Sequence, residues 1–96
     1  MTTGYPSIHQ IDFRVLNQLA DGRNLPSNLA ADVDSTPQYV RERLKDLRDK
    51  GWVENVGPRN RGLYDITDDG LDALHHRDLW AHGARDKFLN RVDIDN

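Results

Sequence analysis

The sequence predicts a small, mainly α-helical domain with one β-hairpin, followed by a C-terminal extension of apolar and helical character. Three observations carry this expectation. Apolar residues recur at helical spacing in three successive stretches before residue 51. Two short runs of strand-forming residues then flank a polar turn containing Gly62. A capped helical run follows from Thr67 to Leu74. With 96 residues the chain has room for one core, worth a net stability of about 5–10 kcal/mol.

Taken in order, residues 1–7 read as a loose arm. Ser7, three residues before Gln10, is the expected cap of a first helix. Its inner stripe is Ile8, Ile11, Val15, Leu16 and Leu19, with Asp12, Arg14 and Gln18 on the polar side, and Asp21-Gly22 ends it. After Leu25-Pro26, Ser27 is a candidate cap for a short second helix through Leu29, Ala30 and Ala31, with a turn at Asp32-Val33-Asp34. Ser35 and Thr36 are good caps and Pro37 suits a first helical position, so a third helix is expected from about Thr36 to Lys50. Val40, Leu44 and Leu47 form its buried stripe, and Gly51 closes it. Trp52, Val53 and Val56 suggest a strand, Gly57-Pro58 breaks it, and Leu63, Tyr64 and Ile66 suggest its return.

The order α-α-α-β-β-α is that of a winged helix-turn-helix. It divides the chain into an arm at 1–7, a domain at 8–77 and an extension at 78–96. Two motifs add to it: Y-V-x-x-R-L-x-x-L-x-x-x-G-x-V from Tyr39 to Val53, and Y-x-I-T-x-x-G from Tyr64 to Gly70. In this order and spacing, residues 8–74 resemble archaeal winged-helix transcription regulators, especially the small phage-repressor-like group of haloarchaea. There is a more distant likeness to the MarR and PadR families. The resemblance implies that the third helix is a recognition helix lying in a major groove of double-stranded DNA.

Charge is compatible with that only by its distribution. Thirteen Lys and Arg stand against sixteen Asp and Glu, for a net charge of -3, the wrong sign for a nucleic-acid binder judged on the whole chain. Residues 35–64, however, carry seven bases against four acids, between acidic flanks. Fourteen of the sixteen acids are aspartate and only three of the thirteen bases are lysine. That composition resembles the proteins of salt-loving archaea. In molar salt, phosphate contacts weaken steeply, so base and apolar contacts have to carry more of the affinity.

On a helical wheel with about 100° per residue, Leu44 and Leu47 fall beside Val40 and define the inner side. Gln38, Glu42, Lys45 and Asp49 fall opposite, Arg41 and Arg48 on one flank, Tyr39 and Arg43 on the other. Ser35, Thr36, Gln38, Tyr39, Arg41 and Glu42 are therefore the candidate base readers, since Gln matches adenine, Arg guanine and Glu a cytosine amino group. Arg43, Lys45 and Arg48 are the candidate phosphate contacts. Arg59, Asn60 and Arg61 at the hairpin tip are candidates for a narrow minor groove or for phosphates. The plain alternative for all of these is a solvated polar surface.

The extension holds Leu79, Trp80, Phe88 and Leu89, expected either to join two copies in a homodimer or to cover the domain's own core. His9, His75, His76 and His82 lack metal-ligand spacing and read as surface residues. No phosphate loop, no G-x-S-x-G and no cysteine is present, so neither catalysis, a cofactor nor a small-molecule ligand is expected. No apolar run approaches the roughly 18–20 residues that span a bilayer, and the first residues do not resemble a secretory signal, which places the chain in the cytoplasm. The sequence thus points to a DNA-binding regulator, with repression by promoter occlusion as the simplest mechanism. A winged-helix module for protein–protein interaction and an RNA binder remain as the rival readings.

Overall fold

The structure, a computed structural model, describes residues 7–57 and 62–92. Helix α1 spans Gln10–Ala20, α2 Pro26–Asp32 and α3 Pro37–Asp49. Strands β1 (Val53–Asn55) and β2 (Tyr64–Ile66) follow, then α4 (Asp68–His75), α5 (Arg77–Ala81) and α6 (Arg85–Arg91). This is the expected winged helix-turn-helix order, with the C-terminal extension forming helices. The 1–6 part of the expected arm, the hairpin tip Arg59-Asn60-Arg61 and Ile94 lie outside the described residues.

Two of the expected caps hold and two move. Thr36 caps α3, its hydroxyl accepting the Tyr39 N–H at 3.2 Å. Thr67 caps α4, its hydroxyl accepting from Gly70 N–H at 3.0 Å and donating to the Gly51 carbonyl at 2.6 Å. The cap position of α1 is His9 rather than Ser7, because the carboxylate of Asp12 reaches back to the His9 N–H at 2.9 Å. The cap position of α2 is Leu25 rather than Ser27, because Pro26 starts the helix with a pre-set φ and no N–H to satisfy.

The two strands pair antiparallel, Val53 opposite Ile66 and Asn55 opposite Tyr64. Asn24 adds a one-residue rung on the far side of β2, exchanging two backbone hydrogen bonds with Tyr64 at 3.0 and 2.9 Å. Trp52 precedes β1, fully buried, and its carbonyl accepts the Thr67 N–H at 3.0 Å. Here α4 crosses so closely that a Cβ on Gly70 would sit 2.1 Å from the Trp52 carbonyl oxygen. Only glycine fits, which anchors the base of the hairpin to α4.

The core runs through every helix except α5. Val15, Leu16, Leu19, Leu29, Val40, Leu44, Leu47, Trp52, Ala73 and Phe88 are all sealed within it. Of the two roles expected for Phe88, joining a second copy or covering its own core, the structure shows the second. Its ring is fully buried and meets Phe13, Trp52 and Trp80 edge-on, with centroids 5.8, 6.1 and 5.7 Å apart. Leu79, Trp80 and Leu89 are half-buried against the same core. Closing this ring within its own domain removes a large apolar area from water.

Candidate nucleic-acid interface

Helices α2 and α3 are joined by a tight turn. Asp34 adopts a left-handed conformation there, with φ 57°, which aspartate tolerates better than branched residues. The Ser35 N–H then donates to the Ala30 carbonyl at 2.8 Å. This fixes the angle between the two helices and delivers α3 with Val40, Leu44 and Leu47 inward, each fully buried.

Beside that apolar stripe lies an ionic seat. The Arg43 guanidinium donates to both carboxylate oxygens of Asp12 at 2.7 Å each, to Asp46 at 2.9 Å and to the Ser7 carbonyl at 3.2 Å. Lys50, only 2% exposed, donates to the same Ser7 carbonyl at 2.7 Å and pairs with Asp46. Two acids and two bases meet here, so the cluster is neutral. Such a buried pair keeps its charges only when every donor finds an acceptor. The Asp12 hydrogen bond, with the nearby carboxylate charges, raises the Arg43 pKa above its ordinary value against the opposing effect of burial.

This overturns the expected phosphate role of Arg43. Its side chain is 9% exposed and its donors face the protein. Asp12, expected on the polar side of the first helix, is fully buried as its partner. The wheel had already set Arg43 only about 60° from Val40. Without a known partner, though, a charge at that angle reads as solvent-facing, and Asp12 lies thirty-one positions away.

The other side of α3 is open. Gln38, Tyr39, Arg41, Glu42, Lys45 and Arg48 are exposed, as is Thr36, while Ser35 is half-buried. Tyr39 sits at the rim, its hydroxyl 3.2 Å from His9 Nδ1, and His9 Nε2 lies 3.1 Å from the Ser7 hydroxyl. The structure thus brings six of the expected α3 residues onto one solvent face and withdraws Arg43. Sequence reasoning did not find Lys50, Asp46 and the Ser7 carbonyl as supports of that face.

A helix held from behind by core and ion pairs, displaying glutamine, arginine, glutamate and lysine outward, is the arrangement of a winged helix-turn-helix fold. Residues 8–54, which comprise α1 to α3 and the start of β1, match the family model described as winged helix-turn-helix DNA-binding. That match supports DNA binding through this unit. No curated protein matches the chain. Among the described residues no helix is long and apolar enough to cross a membrane.

Proposed function

We propose that the chain is a sequence-specific DNA-binding transcriptional regulator that represses by occupying its promoter. The observation that carries this reading is the division of α3. Its inner side is immobilised by Val40, Leu44, Leu47 and the Arg43 ion pairs, while Gln38, Arg41 and Glu42 stand free on the outer side. Reading bases requires side chains positioned by a rigid element. Lys45 and Arg48, further along the same face, supply phosphate contacts that set register. The sequence between β1 and β2 carries Arg59 and Arg61 as wing contacts. A body 35 Å in its longest dimension covers about ten base pairs, enough to block a promoter element. The Asp-rich, Lys-poor composition supports a salt-rich cytoplasm of haloarchaeal type as its setting.

The test is selection from a random duplex pool in high potassium chloride, followed by fluorescence anisotropy on the enriched site. A defined sequence is expected. Gln38→Ala and Arg41→Ala should each weaken binding about tenfold or more at the base they read, whereas Lys45→Ala and Arg48→Ala should weaken it on all sequences alike. Arg59→Ala with Arg61→Ala should also act on most sequences alike. A palindromic site signals a pair of chains, and a single asymmetric site signals one. Absence of binding at both high and moderate salt would replace this reading with the protein-interaction module.

A further inference from the structure

Away from α3, a groove of about 570 Å³ opens between α1, α5 and the start of α6. Its floor is aromatic: Phe13 from α1 and Trp80 from α5. Three arginines rim it, Arg14, Arg77 and Arg85, with Asn17 beside them. The arginines are unusual for their setting. Residues 65–96 carry eight acids against four bases, yet two of those four bases meet here. Among the described residues none of the three forms an ion pair with a carboxylate. Arg77 donates to the Leu74 carbonyl at 3.2 Å, and the Arg85 guanidinium lies over the Trp80 ring, 4.3 Å from its centre.

From this geometry we infer a binding site for a small organic anion, one carboxylate or phosphate carried on a flat apolar body. The volume falls in the range of small-molecule sites, which combine an apolar lining with a few convergent polar groups. Guanidinium groups offer forked donors to an oxyanion. Phe13 and the open part of Trp80 offer ring faces and edges to a planar body. A bare phosphodiester backbone would use the arginines and leave the aromatic floor wet, so the floor favours the amphipathic ligand. Asp12, which holds α3, is the residue before Phe13, so an occupant of the groove touches the helix turn on which the recognition helix is seated.

The full chain is titrated with 2-naphthoate, with 2-naphthamide as its neutral counterpart and with benzyl phosphate as the phosphate-headed probe, followed by calorimetry and by the two tryptophan indole N–H signals in NMR spectra. Expected is submillimolar binding of 2-naphthoate or benzyl phosphate that moves the Trp80 signal, with the stronger of the two naming the head group. The amide should bind about tenfold more weakly, and Arg14→Gln and Arg85→Gln should each lower anion affinity about tenfold. Both arginines are exposed, so replacing Arg14 should leave the unfolding temperature unchanged, and replacing Arg85 should lower it by no more than the few degrees that its contact with Trp80 contributes. Equal affinity for the amide, or no response to either anion at about 10 mM, a concentration at least about tenfold above the expected submillimolar range, overturns the site. Loss of DNA affinity in the arginine variants without any anion binding also overturns it, by assigning these side chains to the nucleic-acid backbone.

Discussion

Asp12 and Phe13 are consecutive residues of α1, and they hold two different parts of the molecule by two different forces. Asp12 receives Arg43 and so fixes α3 through directional, charge-assisted hydrogen bonds. Phe13 meets the edge of Phe88 and so fixes α6 through buried aromatic area. The difference suits the elements held. A bidentate ion pair specifies rotation and register as well as proximity, which the proposed base-reading role of α3 requires. An aromatic cluster tolerates small adjustments and contributes mainly by excluding water, which suffices for a closing helix.

The comparison is broken most directly by Phe88→Ala. Removing the ring empties the junction of Phe13, Trp52 and Trp80, and unfolding by urea should show a loss of about 3–5 kcal/mol, a large share of a small domain's stability. Asp12→Ala should cost about 3 kcal/mol, toward the lower end for breaking a buried pair, because Asp46 remains to neutralise Arg43. Replacing Asp12 and Arg43 together by Leu and Met should recover much of that loss in the same melts while leaving DNA affinity low. Full recovery of DNA affinity in the double variant would show that the ion pair has no orienting role.

Thr36→Ala, which removes the α3 cap, should cost about 1 kcal/mol and is read by the same denaturation. Arg23→Ala breaks a surface pair with Asp65 and should cost less than about 0.5 kcal/mol, with even that lost in high salt. The smallest effect is that of pH on Arg43. Its folded-state pKa is raised, so its stabilisation is complete below the ordinary arginine range and is lost only as pH rises above it. Thermal melts between neutral pH and about pH 10 should show no loss traceable to this group, since arginine stays protonated throughout.

The sequence made the helix order, the Val40–Leu44–Leu47 stripe and the Thr36 and Thr67 caps legible, because each depends on residues within four positions of one another. The seat of α3 was not legible. Asp12, Arg43, Asp46 and Lys50 each carry charge, and a charge reads as exposed until its partner is located in space. Ser7 was visible as a polar residue, but it is the backbone carbonyl, common to every residue type, that accepts from Arg43 and Lys50. Phe88 was visible as apolar but not assignable between a second copy and its own core, since both would bury it equally well. The exposed positions of α3 were found by the wheel, and their chemistry toward bases is proposed from residue type.

The separation of α3 into a held side and an open side also bears on how such a chain can diverge. Changes at Gln38, Arg41, Glu42 and Lys45 alter no buried contact, so under the proposed function new base preferences can arise by drift or by library selection at four positions without repacking the interior. Changes at Asp12, Arg43 or Lys50 have no such freedom, because each must be matched by a partner on another part of the chain. Descendants of this sequence should therefore vary on the open side of α3 long before they vary in how that helix is mounted.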